Sequence, residues 1–432
     1  MDKMKTTINR TIQPKIKSVE QVSLPKPIIS ELDNGIKVYA FDAGTEEVIK
    51  IEFVVEAGSW YQDKKLQAFS TIKMLTEGTK NHTAAELAEI FDFYGAYVET
   101  ESERDYTYIT LYTLNKNVEK LLPVFAEIIK EPVFPKKELS VLLTNTKQDQ
   151  MVSMQKVSYV ARIKFAEQLY GSSHPYGISP KPEDYRKITT DDLMQFYKKY
   201  YVPENIRIVI SGKIQKNIIE LLNTHFGKSK NTSGKKKITK LFPVEPAKEK
   251  KQIILQQNAL QSGLRLGKIL FSRNHPDFIG MNILSTILGG YFGSRLMTNI
   301  REDKGYTYGI GSAIISMRHS GYIFIASDVS ANCREKAVDE IYKEIERLRK
   351  EPVPQKELEL VKNYMAGTFL RKIDGPFAIA ERFISTLDYG LDFNEYFTNY
   401  INTIKSITSE EIIKLASRHL QNNSFFETIC GK

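Results

Sequence analysis

Few residues in this chain have the type and spacing for metal or nucleophilic chemistry. The six histidines, His82, His174, His225, His275, His319 and His419, are scattered. No two stand at the i, i+4 spacing that lets one helix face offer a pair of imidazoles to a metal. His174 and His275 each precede a proline, where a turn role is the simpler reading. Two cysteines, Cys333 and Cys430, are too few for a disulfide framework or a cysteine-rich zinc module, and such usage suits a reducing compartment. There is no Gly-x-Ser-x-Gly elbow and no Walker loop. Gly289, Gly290 and Gly293 follow a helical stretch, so they fit a helix-to-helix turn better than a dinucleotide fingerprint.

Around these residues, hydrophobic spacing predicts strands over 36–41, 48–57, 106–113 and 206–211. It predicts helices over 65–76, 84–94, 118–129 and 136–155, and one capped by Thr190-Asp191-Asp192 that ends near Tyr201. Strands in neighbouring runs and helices in pairs indicate an α+β fold with largely antiparallel sheets rather than a doubly wound one. The pattern is written twice. Lys130-Glu131-Pro132-Val133 returns as Lys350-Glu351-Pro352-Val353, and segment 188–213 returns as 407–432. Ile188/Ile407, Asp192/Glu411, Gly212/Gly431 and Lys213/Lys432 match at an offset of 219. The self-similarity is that of a tandem duplication, with repeats at 1–226 and 251–432 joined by a Lys-rich linker at 227–250.

The composition, 41% hydrophobic and 11% aromatic over 432 residues, is that of an ordinary globular chain and excludes wholesale disorder. A net charge of +9 raises the question of nucleic acid. Residues 227 to 251 hold nine Lys against two Glu, so most of the excess sits there. That stretch has no Arg and one aromatic residue, Phe242, which suits a solvated linker better than a nucleic-acid groove. No apolar run is long enough to span a membrane, and the N-terminus lacks an apolar signal core. The expectation is a cytoplasmic protein, or a periplasmic one if a signal was removed, with neither nucleic acid nor membrane as partner.

Several strings fall in a telling order: Ala57-Gly58-Ser59, Glu77-Gly78-Thr79, Tyr170-Gly171, His174-Pro175-Tyr176-Gly177, and Leu288-Gly289-Gly290-Tyr291-Phe292-Gly293-Ser294-Arg295-Leu296 running into Ile300 to Tyr308. Over nearly the whole chain this resembles the pitrilysin/insulinase family of zinc peptidases, which includes the mitochondrial processing peptidase. The resemblance implies two homologous halves, each with a largely antiparallel sheet flanked by helices. The family's His-x-x-Glu-His helix would hold zinc and supply a base for the metal-bound water. Counting back from Gly78-Thr79 puts its three positions on Phe69, Ile72 and Lys73. None can do that work: Phe69 and Ile72 continue the apolar stripe of Leu66 and Leu75, and an ammonium at Lys73 would repel a dication. The family's third ligand falls near Gln150, with Glu138 and Asp149 the nearest acids.

In some two-subunit members of the family, the subunit lacking the zinc motif contributes an Arg and a Tyr to the shared active site. Their pattern, Arg-x-x-x-Gly-x-x-Tyr, is met by Arg301, Gly305 and Tyr308. A guanidinium and a phenol can grip a peptide carbonyl, a carboxylate or the oxyanion of amide hydrolysis. The competing reading pairs Arg301 with Glu302 or Asp303 and packs Tyr308 into a strand. The resemblance also makes the Gly289, Gly290 and Gly293 loop a candidate peptide contact.

The expectation is therefore a peptidase-family member that binds no cofactor and does not hydrolyse peptides alone. It would pair with a homologous subunit bearing zinc, or with itself as a homodimer, around a peptide or unfolded polypeptide. The rivals are an assembly protein that keeps only the fold, and an enzyme of unrecognised chemistry.

Overall fold

The computed structural model describes residues 10–12, 24–228 and 240–432. Alternating apolar residues build six strands in the first half: β1 (Ile28–Glu31), β2 (Lys37–Asp42), β3 (Val48–Val55), β4 (Tyr97–Ser102), β5 (Thr107–Leu114) and β6 (Ile206–Gly212). The second half supplies five: β7 (Lys251–Leu255), β8 (Gln261–Leu270), β9 (Thr307–Ser316), β10 (Gly321–Ser330) and β11 (Phe426–Gly431). They form two sheets, ordered β1-β2-β6-β3-β5-β4 and β7-β11-β8-β10-β9. Apart from the added β1, the two orders coincide strand for strand. Every pairing is antiparallel except β2 with β6 and β7 with β11, so the mixed α/β architecture is the expected one, repeated.

Small features repeat as well. Thr189 and Asp192 form a capping box, and so do Thr408 and Glu411. The matched glycines Gly212 and Gly431 have φ of 120° and 140°, and a Cβ there would strike the carbonyl oxygens of Val48 and Gln261 at 2.3 and 2.6 Å. Both close contact and backbone angle demand glycine at this point in each copy.

β3 shows how the halves interlock. Ile49, Ile51, Phe53 and Val55 face a core made within the first half. On the opposite face Val54 joins Phe41, Tyr106 and Val209 under the helix Pro376–Leu387 of the second half, through Ile379, Phe383 and Ile384. Lys50 lies on that side too, paired with Glu52 at 3.0 Å and Glu381 at 3.7 Å. In return the first half's helix Val157–Tyr170 lies on the second sheet. Its Phe165, Leu169 and Tyr170 pack beside Met317 and Phe426, and its Val160 and Ala161 beside Cys430. Each sheet is thus covered by the same helix of the other copy, and burying both faces makes the two halves one body. The hairpin between β9 and β10 adds a clasp: the backbone N–H of Arg318 donates to Asp105 at 3.1 Å, and His319 stacks on Trp60 with ring centroids 4.1 Å apart.

The helices Gln67–Met74, Ala84–Phe93, Val118–Lys130, Lys136–Ser153 and Thr190–Tyr200 fall where apolar spacing places them. No helix among the described residues is long and apolar enough to cross a membrane. Part of the Lys-rich stretch, residues 229–239, lies outside the described residues. The remainder is anchored rather than wholly solvated. Phe242 packs edge-on to Trp60 at 4.9 Å, Lys240 pairs with Asp63 at 2.6 Å, and the N–H of Ala247 donates to the Gln168 carbonyl at 2.9 Å.

Candidate functional site

The helix Gln67–Met74 places the three degenerate motif positions in three different settings. Ile72 is wholly buried, as the apolar stripe predicts. Phe69 differs: it is only partly buried and forms part of a cavity wall. Lys73 sends its ammonium to β4, where it donates to the Thr100 carbonyl and, at 3.3 Å, to the Thr100 hydroxyl. This contact fastens the helix to the sheet edge. Gln150 donates to the Pro180 carbonyl at 2.8 Å. Nearby, Glu77 is held above the ordinary carboxylate range by burial first and by the charge of Glu138 second. No group of three or more His, Cys, Asp or Glu side chains among the described residues could hold a metal ion.

The histidines have local roles. His174 accepts from the Tyr176 N–H at 3.1 Å, and His275 accepts from the Asp277 N–H at 3.1 Å, both turning the chain at a proline. His419 donates to the Asp277 carboxylate at 2.7 Å, and His82 is 3.0 Å from Glu127.

Arg301 and Tyr308 come together on the second half. Met297–Asp303 is a π-helical segment that buries Met297 and Ile300 and turns Arg301 outward. Gly305, at φ 64°, reverses the chain into β9, with the Tyr306 N–H donating back to the Ile300 carbonyl at 3.0 Å. That reversal is the physical reason for a glycine between the two: it brings the last turn of one element beside the first residues of the next. Both side chains line a hollow of about 570 Å³ with Phe292, Glu302 and Ser330. Tyr308 is 93% exposed, although it lies in a strand. The local pairing of Arg301 is weak. Glu302 stands 3.8 Å away, while the guanidinium lies over the exposed Phe292 ring at 4.5 Å. The plane of the cation is steadied and its N–H edges remain open to the hollow.

The three glycines have separate reasons. Gly289 lies in the π-helical turn Thr286–Gly290, and a Cβ there would lie 2.5 Å from the Ser312 nitrogen, so it lets this turn press on β9. A Cβ on Gly290 or Gly293 would meet only the Thr286 side chain or the Tyr291 ring, at 3.1 and 3.0 Å. Of the three, only Gly289 is held to its type by backbone contact. Phe292 was visible in the glycine string but carried no assignment; its pairing with Arg301 is a contact across nine positions that sequence spacing does not reveal.

A second and larger hollow, about 770 Å³, opens between the halves. Phe69 and Gln150 stand on one wall and Met317, Arg318 and Tyr322 on another. Arg104 and Arg162 also line it. Both belong to the first copy, and neither follows any motif.

With this geometry in place, the comparisons with known proteins agree. Residues 38–171 match the family model described as Insulinase (Peptidase family M16), and residues 187–365 match the one described as Peptidase M16 inactive domain. The chain belongs to peptidase family M16. It is 25% identical over 344 residues to an uncharacterized zinc protease YmxG of Bacillus subtilis, covering 79% of this chain and 83% of that one. It is 22% identical over 388 residues, 86% of each chain, to a Helicobacter pylori protein named non-peptidase homolog YmxG. The crystal structure of a peptidase M16 inactive domain from Pseudomonas fluorescens superposes with a TM-score of 0.83 at 23% identity, covering 94% of this chain and 98% of that one.

Proposed function

We propose that this chain is the non-catalytic subunit of a two-subunit zinc-dependent peptidase. It would supply Arg301 and Tyr308 to an active site whose metal and general base sit on a homologous partner. The observation that carries this reading is the contrast between two sets of motif residues. Ile72 and Lys73 are taken up by packing and a strand tie and Phe69 is partly packed, whereas Arg301 and Tyr308 share a hollow with open donors. Tyr308 makes no hydrogen bond among the described residues. A phenol so exposed does nothing for the fold, and a donor aimed outward is what a substrate carbonyl or a developing oxyanion needs. On this reading Arg301 polarises or grips the carbonyl region and Tyr308 donates beside it, while Phe292 keeps the guanidinium plane upright. Gly290 and Gly293, free of backbone contacts, offer a surface that peptide can approach closely.

The test is co-purification from the native host, then assay of peptides with the chain alone, with added zinc, and with a homologous subunit that carries His-x-x-Glu-His. The chain alone stays inactive with or without zinc and the pair is active. Within the pair, Arg301→Ala and Tyr308→Phe each lower kcat/KM by about a hundredfold, as expected for a lost transition-state donor. Full activity of both variants would refute the assigned role. A homodimer or large complex with no peptidase partner would instead favour the assembly-protein reading.

A further inference from the structure

The larger hollow, between the halves, carries two guanidinium groups that form no ion pair among the described residues. Much of the rest of its charged lining is taken up in pairs. Lys65 pairs with Asp184 at 3.2 Å, and Arg318 with Glu56 at 3.4 Å. Asp388 is held by Arg207. Asp105 accepts from the Tyr176 hydroxyl at 2.7 Å and from the Arg318 N–H at 3.1 Å, so both of its oxygens are taken. Glu103 faces Glu101 and Asp105 rather than a cation, and Asp149, also on the lining, forms no ion pair among the described residues. Arg104 and Arg162 remain, and no carboxylate among the described residues comes within 4.0 Å of either. Arg104 spends one N–H on the Pro175 carbonyl at 2.8 Å, and Arg162 lies over the Tyr159 ring at 4.9 Å. Burial pulls the Arg104 guanidinium below its usual range and Arg162 adds to that, with Asp105 working the other way; Arg104, Arg265 and Arg162 all stand about the Tyr322 phenol.

We propose that this hollow binds a monoanionic carboxylate on an apolar or aromatic body, gripped by the guanidinium groups of Arg104 and Arg162. Guanidinium forks fit a carboxylate through paired N–H groups. The body would lie against Phe69, Met317 and Tyr322, which line the same space. Asp149, which also lines the hollow, and Glu103 would repel a second negative charge, so a phosphate dianion is disfavoured. The site shares no residue with the Arg301–Tyr308 hollow and needs no partner subunit, so it stands or falls apart from the role proposed there. Two sources share the chemistry: a free carboxylic acid and the C-terminal carboxylate of a peptide.

Trp60 is the chain's single tryptophan and packs on Tyr176, a lining residue, at 4.8 Å, so its fluorescence reports on the site. The whole chain is titrated with 3-phenylpropionate and with a short peptide ending in phenylalanine, each as free acid and as amide, and with inorganic phosphate. The acids shift Trp60 emission and raise Tm, while the amides and phosphate do neither. Tighter binding of the peptide assigns the site to a chain terminus, and tighter binding of phenylpropionate assigns it to a small acid. Arg104→Met weakens binding by about tenfold or more; because it also removes the hydrogen bond to the Pro175 carbonyl, the loss is read against the Tm of the unliganded variant. Arg162→Met, at an exposed helix position, gives the same loss with less risk to folding. Binding of the amides equal to that of the acids, or binding within about twofold of the parent in both variants, overturns the proposal.

Discussion

In the first copy the motif residues have gone to work for the fold, and in the second they have not. Ile72 is sealed in the core and Lys73 grips β4, while Arg301 rests on an exposed ring and Tyr308 stands in solvent. On the proposed reading, the difference separates two fates for residues of a shared site. A metal-binding helix that loses its ligands becomes ordinary packing, because an apolar residue on a core-facing helix side gains from burial at once. A donor pair that stays exposed gains nothing of that kind. Its persistence in an otherwise well-packed chain is therefore easier to understand as contact with something outside the chain.

The strongest way to break the comparison is to try to reverse the first fate. Ile72→Glu would put the family's carboxylate back at its motif position. The present core surrounds that position completely, so the substitution removes a buried apolar side chain and leaves a carboxylate without a partner. A loss of about 4 kcal/mol or more follows, close to the whole stability of an ordinary domain. Urea unfolding checks it. A stable Ile72→Glu protein, with or without zinc, would mean that the helix still keeps room for the motif.

Lys73 sharpens the same point at a smaller scale. Lys73→Met keeps the aliphatic stem but removes the hydrogen bonds to Thr100, and a loss of about 1 kcal/mol is expected. Hydrogen exchange of the β4 amides locates the effect, since β4 is a sheet edge and opens first when its tie to the helix is cut. An unchanged exchange pattern would show that Lys73 is incidental.

Much of this was legible in the sequence, and the reasons for the gaps are specific. Strands such as β3 and β5 and helices such as Val118–Lys130 carry strong apolar periodicity, and the duplicated strings marked the two copies. β4, whose sequence is YVETES, was missed because a half-exposed edge strand has too little apolar signal. The helix Val157–Tyr170 was missed because the second sheet and the inter-half hollow enclose it from several sides, which leaves no polar face to betray its period. Arg301 and Tyr308 are picked out by the family resemblance, and the turn at Gly305 sets both on one hollow. Arg104 and Arg162 were beyond reach: they are far apart in the first copy, and only the fold sets both on the wall of one hollow, which no local pattern encodes.

The smallest expected effect is the most discriminating. Arg301→Ala and Tyr308→Phe should each change the stability of the chain by less than about 0.5 kcal/mol. Tyr308→Phe removes a hydroxyl that makes no hydrogen bond among the described residues. Arg301→Ala removes an ion pair to Glu302 at 3.8 Å and a cation–ring contact at an exposed site, both worth little where water competes. Chemical unfolding of the two variants beside the parent measures this directly. If either residue proved worth 2 kcal/mol to the fold, the second copy would be treating its motif as the first does, and an activity loss on mutation could no longer be read as a lost contact with substrate. If both are neutral to stability, any loss of activity in a reconstituted pair must come from what they touch outside the chain.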